Sequence, residues 1–228
     1  MFLMRAAKCQ VGGSDYIGAF ITTTEEYTFC PVGIPNRTKE LIKEILGTDV
    51  VEIFIGGCSL IGMLCRANSK SIAVSNLASD EEIRKISKAC PDIRVARVES
   101  GINAIGNNLL VNDKVCIVNP DYNQKDKEII EEIFNVRVFA NEVGGYKTIG
   151  ANNIMTINGM AINNRTTDAE KAAIDSITGF DSVRTTANTG GLSIGIAAVA
   201  NSKGILTGYE TTGFEMNRII QALEKEVI

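Results

Sequence analysis

The candidates for nucleophilic chemistry in this chain of 228 residues are its cysteines, and histidine is absent. The six cysteines are Cys9, Cys30, Cys58, Cys65, Cys90 and Cys116. None belongs to a C-x-x-C pair and several lie in or beside apolar runs, so we predict reduced, packed thiols rather than a disulfide framework. Without histidine the chain lacks the usual general base, the commonest metal ligand, and every Cys–His or Ser–His pair.

Two other motifs resemble metal-binding, acid–base or anion-binding sites, and each has a simpler structural interpretation. Asp80-Glu81-Glu82 could hold a metal ion or supply an acid and a base. It directly follows Ser79, however, and carboxylates in the first turn of a helix suit the macrodipole, so we predict a solvated helix start. Thr189-Gly190-Gly191 resembles an anion-binding loop but lacks the G-x-x-x-x-G-K-[ST] pattern, so no phosphate site follows from it.

These residues must be positioned by a repeated unit. The dipeptide Ile-Gly recurs with its glycine at positions 18, 62, 106, 150 and 195, which gives spacings of 44, 44, 44 and 45 residues. A fixed period of this length is the signature of a repeat architecture. We therefore predict one domain, residues 1–228, built from five units at about 10–53, 54–97, 98–141, 142–186 and 187–228.

Each unit has the same predicted elements. A β-rich segment precedes the Ile-Gly dipeptide, at 50–55, 93–98, 136–140 and 182–185. We interpret the dipeptide as the start of a strand with a close backbone approach. A hairpin follows, with first strands at 63–67, 108–111 and 196–200. The sixth residue after each glycine, which we expect to shape the turn rather than bind a ligand, is Thr24, Asn68, Asn112, Thr156 or Asn201.

A helix follows each hairpin. Ser79 with Glu82, Thr167 with Glu170, and Thr212 with Glu215 have the spacing of capping boxes. The first unit begins too near the chain start to have its own upstream strand, and the last unit ends without a strand after its helix. Residues 2–9 can pair with the last unit, so we predict an α+β fold in which five ββαβ-like units form a closed ring.

Composition narrows the classes of partner. Apolar residues make up 45% of the chain, enough for a sizeable core, and the formal net charge is −4. That charge disfavours nucleic-acid binding through a broad basic field and suits a basic partner. No apolar run approaches the roughly 20 residues of a membrane span, and no signal peptide is visible, so we predict a cytoplasmic protein.

Several short motifs occur in a specific order along the chain. They are Gly56-Gly57-Cys58-Ser59-Leu60-Ile61-Gly62, Ala104-Ile105-Gly106-Asn107, Val111-Asn112-Asp113-Lys114, Thr186-Ala187-Asn188, Ala200-Asn201-Ser202-Lys203-Gly204 and Glu210-Thr211-Thr212-Gly213. With the repeats they resemble the archaeal and eukaryotic translation initiation factor 6 family from about residue 10 to about residue 224. The chain lacks the extra tail of the eukaryotic members and is more similar to the archaeal form.

This resemblance implies a fold and a function. The fold would be a five-fold pseudosymmetric α/β propeller, the pentein fold, around a central channel. The function would be binding to the intersubunit face of the large ribosomal subunit, which blocks joining of the small subunit and accompanies late large-subunit maturation. The expected partner is a basic ribosomal protein with rRNA nearby. The resemblance implies a monomer with no catalytic residue, cofactor or metal, and no DNA or membrane partner.

The resemblance also suggests contact residues close to the Ile-Gly dipeptides. Asn107, directly after Gly106, matches the family pattern and is the best single candidate. The place after Gly62 is an arginine in eukaryotic members and is Met63 here, which argues against a charged contact at that position. By pseudosymmetry the same rim includes Ala19, Ala151 and Ile196.

Two other functions compete with this interpretation. Guanidino-group hydrolases use the same five-fold fold, but their cysteine nucleophile works with a histidine that this chain does not have. A small-molecule binder could use the central channel, where five glycine-rich segments converge. Ligand-induced stabilisation would distinguish that function from subunit binding.

Overall fold

The computed structural model describes residues 4–224, which form short and long helices alternating with short strands. The strands are β1 (Arg5–Lys8), β2 (Thr22–Thr23), β3 (Tyr27–Pro31), β4 (Asp49–Ile53), β5 (Cys65–Ala67), β6 (Ser71–Ser75), β7 (Arg94–Val98), β8 (Leu109–Val111), β9 (Val115–Val118), β10 (Arg137–Ala140), β11 (Ile154–Met155), β12 (Met160–Asn163), β13 (Val183–Thr185), β14 (Ala198–Ala200) and β15 (Gly204–Thr207). The helices are α1 (Ile17–Phe20), α2 (Asn36–Leu46), α3 (Ile61–Leu64), α4 (Asp80–Ala89), α5 (Ile105–Asn108), α6 (Gln124–Phe134), α7 (Ile149–Asn152), α8 (Asp168–Thr178), α9 (Ile194–Ala197) and α10 (Gly213–Leu223).

The strands form five sheets of three, one for each unit. In every sheet an antiparallel hairpin pairs through its second strand with a parallel outer strand, as in β5-β6-β7, where Ala67 lies opposite Ile72 and Ile72 opposite Val95. In units one to four the long helix connects the middle strand to the outer strand, whereas α10 of unit five is the last element described. The outer strands β4, β7, β10 and β13 lie where the alternation of apolar and polar residues predicts them.

The fifth sheet takes its outer strand from the beginning of the chain. Strand β1 pairs in parallel with β15, from Arg5 opposite Gly204 to Lys8 opposite Thr207. The predicted strand covered residues 2–9, and of these Phe2 and Leu3 lie outside the described residues. Pairing of β1 with β15 covers an edge that would otherwise expose unpaired backbone groups.

The Ile-Gly dipeptides do not start strands, and that prediction is wrong. Each begins a helix of four residues, and the first hairpin strands are correspondingly shorter, at Cys65–Ala67, Leu109–Val111 and Ala198–Ala200. One helical turn buries both the isoleucine and the glycine. Because glycine has no Cβ, a carbonyl of the neighbouring unit can approach its backbone closely.

The five short helices contact one another in cyclic order. Helix α1 contacts α3, α3 contacts α5, α5 contacts α7, α7 contacts α9, and α9 contacts α1. At each step the glycine of one helix lies against the carbonyl oxygen of the glycine before it, as Gly62 lies against Gly18 and Gly18 against Gly195. A side chain at any of these glycines would separate two units.

Apolar packing follows the same five-part plan. There are five hydrophobic clusters, and each combines the long helix and sheet of one unit with buried residues from the sheet of the preceding unit. In unit two, for example, Ile72 and Ile86 are fully buried and share a cluster with Ile61 of the short helix. Three long helices begin with the predicted capping boxes, at Ser79, Thr167 and Thr212, which satisfy amide groups that the helix leaves unpaired.

The residues six positions after the glycines shape turns, as predicted. The Oδ1 of Asn201 accepts hydrogen bonds from the backbone of Lys203 at 3.0 Å and Gly204 at 3.2 Å. Its Nδ2 donates to the carbonyls of Thr24 at 3.0 Å and Leu46 at 2.8 Å, which belong to unit one. One side chain therefore closes its own turn and fastens the fifth unit to the first.

We expect Asn201→Ala to lower the free energy of unfolding by about 3 kcal/mol, because it leaves buried donors and acceptors without partners. Asn201 is only 2% exposed, so water cannot replace the lost bonds without a rearrangement. Urea unfolding measures the change, with Asn103→Ala in an exposed loop as the control. Equal stability of the two variants would contradict this role for Asn201.

Candidate functional site

One end of every unit carries the predicted site residues. The outer strand ends there and is followed by a loop, the short helix, and the beginning of the hairpin's first strand; the long helix also begins there. Because the short helices contact one another in cyclic order, these ends lie on the same side of the molecule. We call the surface made by the five short helices and the loops around them the short-helix face.

The loops entering the short helices are fastened by the glutamates of the capping boxes. Backbone amides of Gly56 and Gly57 both donate to Glu82 at 3.0 Å, and those of Gly144 and Gly145 donate to Glu170 at 3.0 and 3.4 Å. Each carboxylate also accepts from its own helix cap. One side chain therefore fixes both the start of a long helix and the shape of the adjacent loop.

In unit five this arrangement explains the segment that resembles an anion-binding loop. The amides of Thr189 and Gly190 donate to the carboxylate of Glu215 at 3.2 and 2.7 Å, and the Thr186 hydroxyl donates at 2.7 Å. Burial alone would raise the pKa of Glu215, but these donors and those of Thr212 outweigh it and lower the pKa to about 2. The anion bound by this loop is a side chain of the same chain.

The same loop accounts for the one irregular spacing of the repeat. Val11 bridges to Ser14, and Ile55 to Cys58, whereas Ala187 bridges to Gly191, one residue further along. The extra residue places the fifth glycine 45 rather than 44 residues after the fourth. Within this loop Asn188 and Thr189 have φ values of +49° and +59°, a conformation that costs a β-branched residue free energy.

The predicted contact residues differ in accessibility. Gly62 and Gly106 are buried against neighbouring carbonyls. Ala19 and Ala151 are 6% and 8% exposed. The half-buried residues after the dipeptides are Met63, Asn107 and Ile196.

Asn107 is the most informative of these side chains. Its Oδ1 is buried and has no hydrogen-bond partner among the described residues. The asparagines one position later in two units behave differently, because Asn108 donates to Ala104 at 2.8 Å and Asn152 to Thr148 at 2.9 Å. Asn107 therefore does not use its amide oxygen to satisfy the backbone of its own short helix.

Comparison with known proteins places the chain in a family. A model of the eIF-6 family matches residues 6–222. This chain belongs to the eIF-6 family. Two of its relatives, each named "Translation initiation factor 6", come from Saccharolobus islandicus and Methanosphaerula palustris. The first is 31% identical over 221 residues, which are 96% of this chain and 99% of the relative; the second is 34% identical over 207 residues, which are 91% and 92%.

Among solved structures, a C. jejuni agmatine deiminase shares 17% sequence identity with this eIF-6 family member at a TM-score of 0.37. The match covers 55% of this chain and 49% of the deiminase. A likeness of this size supports no argument about function. The relatives in this family are named for a translation initiation factor, which links the family to translation initiation.

The cysteines of this eIF-6 family member, apart from the half-buried Cys58, are buried in its core. Burial raises the pKa of Cys9 and Cys90 to about 11 and of Cys30 and Cys65 to about 12, so these thiols stay protonated at neutral pH. Among residues 4–224 no cluster of three cysteine, aspartate or glutamate side chains could hold a metal ion. None of the helices described there is long and apolar enough to cross a membrane.

A small cavity lies among the inner strands of the five sheets. Its volume is about 40 Å³, room for roughly three water molecules rather than for a metabolite. Arg66 extends into it and donates from Nη2 to the carbonyls of Gly106 and Gly150, the latter at 3.2 Å. In this family member the arginine connects the short helices of units three and four to unit two.

Sequence reasoning missed the glycine pairs that shape the entry loops. Gly13, Gly57, Gly145 and Gly190 each precede an Ile-Gly dipeptide by four residues, and all have positive φ. That spacing is visible in the sequence and would have predicted four tight turns before the short helices.

Proposed function

We propose that this eIF-6 family chain is a closed five-fold propeller, the pentein fold, and an anti-association factor. It binds the large ribosomal subunit at its intersubunit face and prevents the small subunit from joining. Membership of a family named for translation initiation supports this function. The cyclic contacts of the short helices and the pairing of β1 with β15 support the closed architecture.

The proposed mechanism is steric. A rigid body on the intersubunit face occupies a surface that the small subunit must contact, and no bond is made or broken. A specific interface needs roughly 800 Å² from each partner, which one face of a 24.5 kDa protein can provide. The net charge of −4 suits a basic ribosomal protein as the main partner, with rRNA nearby. We place the factor in the cytoplasm, as a monomer, with a role in large-subunit maturation.

The observation that carries the proposal is the unused amide of Asn107. Its Oδ1 has no partner in the described protein, and an unpaired buried acceptor costs about 1–3 kcal/mol. A partner that reorients this amide and bonds it would recover part of that free energy. We therefore propose that Asn107, with the half-buried Met63 and Ile196, contacts the large subunit, over a rim whose backbone is fixed by Gly62 and Gly106.

Asn107→Lys should weaken binding to isolated large subunits by about tenfold or more, because the longer, charged side chain cannot replace the amide in a packed contact. Co-sedimentation through a sucrose cushion measures the bound fraction. Asn158→Lys makes the same change in a hairpin turn at the opposite end of the units and should bind as the unchanged protein does. Asn107→Lys that sediments at the unchanged level would remove Asn107 from the interface.

A further inference from the structure

The exposed apolar side chains of this molecule are unevenly distributed. Six large hydrophobic residues among those described are more than 40% exposed: Tyr16, Val32, Phe54, Leu77, Tyr209 and Phe214. All six lie in loops of the short-helix face or in the first turn of a long helix that begins there. All six also belong to units five, one and two, which are consecutive in the cyclic order.

Three of them form one patch where units one and two meet. Strands β3 and β4 are parallel with Pro31 opposite Ile53, and the next residues along them are Val32 and Phe54. Leu77 comes from unit two, where its Cβ would stand 2.9 Å from a Cβ added at Gly56, two residues after Phe54. Side chains from two units therefore expose a shared apolar surface.

The other three are aromatic and lie where units five and one meet. The backbone amide of Tyr209 donates to Asp15 Oδ1 at 2.6 Å, which brings Tyr209 to the segment carrying Tyr16. Phe214 is 76% exposed in the first turn of α10, five residues after Tyr209. Tyrosine and phenylalanine exposed together are typical of the centre of a protein interface rather than of a solvated surface.

The corresponding loops of units three and four are polar. Asp121 and Lys147 form an ion pair at 2.7 Å, and Arg165 donates to the Tyr146 hydroxyl at 3.2 Å. The first turn of α8 has Ala169 at the position that Phe214 occupies in α10, two residues after the helix cap. The short-helix face is thus divided into an apolar sector and a polar sector, although the five units share one backbone plan.

Charge identifies the kind of partner that suits the apolar sector. The carboxylates of Asp15 and Glu210 lie beside Tyr209, with Lys8 as the neighbouring cation. A phosphate backbone needs several lysine and arginine contacts, whereas the structure places two carboxylates and one lysine around Tyr209. A protein segment with apolar anchors flanked by basic residues fits both the aromatic side chains and the carboxylates.

We infer that the apolar sector of units five, one and two binds a ribosomal protein segment of this chemistry, with Phe214 and Tyr209 as anchors. This inference rests on the proposed function and specifies its partner. It assigns the strongest apolar contact to the outer part of the face, in addition to the contact at Asn107 in unit three. Large, well-packed aromatic residues contribute most of the binding energy in many protein interfaces.

A matched pair of variants tests the location. Phe214→Asp and Ala169→Asp place the same carboxylate at the same position of a capped helix, in the apolar and polar sectors respectively. We expect Phe214→Asp to weaken large-subunit binding by about tenfold or more and Ala169→Asp by less than about twofold. Both should keep the melting temperature of the unchanged protein, because an exposed aspartate suits a helix start.

A photocrosslinking residue tests the partner. With p-benzoylphenylalanine in place of Phe214, we expect a crosslink to a large-subunit protein in the purified complex; a crosslink to rRNA would overturn the inference. Equal binding of Phe214→Asp and Ala169→Asp would also overturn it. If Asn107→Lys is impaired while Phe214→Asp is not, the proposed function stands and this inference fails. If the unchanged chain does not bind the large subunit, both fail.

Discussion

Gly195→Ala should leave little folded protein. A Cβ at Gly195 would overlap the carbonyl oxygen of Gly150 and lie 2.5 Å from that of Asn153. Both obstacles are backbone atoms of the neighbouring unit, so relief requires α9 to move away from α7. We expect a loss of more than about 3 kcal/mol in the free energy of unfolding, at the upper end of what overpacking costs, because the contact joins two units.

Gly101→Ala is the matched control for this prediction. Gly101 lies in an exposed loop, and no atom is within 4 Å of the Cβ that alanine would add. Urea unfolding followed by far-ultraviolet circular dichroism should show Gly101→Ala unfolding within about 0.5 kcal/mol of the unchanged protein. If Gly195→Ala unfolds at the same urea concentration as Gly101→Ala, the short helices do not pack as the structure has them.

Glu215→Gln should lower stability by about 3 kcal/mol at pH 7. The carboxylate of Glu215 is 5% exposed and accepts from Thr186, Thr189, Gly190 and Thr212. Although burial opposes the charge, these donors lower the pKa of Glu215 from 4.5 to about 2 in the folded state. A lowered pKa means stability that is fully present above the unfolded pKa and is lost as the pH falls toward 2.

The pH dependence distinguishes this effect from a simple packing defect. By pH 3 the stability difference between the unchanged protein and Glu215→Gln should shrink to less than half of its value at pH 7. At that pH much of the stability that the ionised Glu215 carboxylate contributes is lost. Chemical unfolding at pH 7 and pH 3 measures it, with the exposed Glu210→Gln as a control. A difference that stays constant between these two pH values would contradict the assignment.

The repeated elements of this fold could be predicted from the sequence because their signals are local. Ser79 with Glu82 and Thr212 with Glu215 fix helix starts within four residues. Asn112 and Asn201 close turns through their own side chains. The same residue types at the same spacing recur in several units, and this consistency makes each interpretation stronger than it would be alone.

The short helices could not be predicted, because what decides them comes from other units. Ile-Gly followed by apolar residues favours a strand locally, but the contact of Gly62 with Gly18 requires a compact helical turn. The solvent accessibility of the predicted contact residues could not be predicted for the same reason. Ala19 and Ala151 occupy positions equivalent to Asn107, and only the packing of neighbouring units shows that both are buried.

The uneven distribution of apolar residues was also beyond sequence reasoning. Phe214 and Ile219 are both apolar residues of α10, yet the first is exposed and the second fully buried. Their spacing of five residues places them about 140° apart around α10, and the packing of the helix on its sheet decides which side is buried. The apolar sector is formed by loops of units five, one and two, and units five and one lie at opposite ends of the sequence.

Subunit joining tests the central proposal most directly. Purified large and small ribosomal subunits are mixed with and without a saturating amount of this protein, and joined particles are separated from free subunits on a sucrose gradient. We predict that joined particles are lost while the protein sediments with the large subunit. Joined particles at the same level with and without the protein, although it is bound to the large subunit, would contradict the proposal.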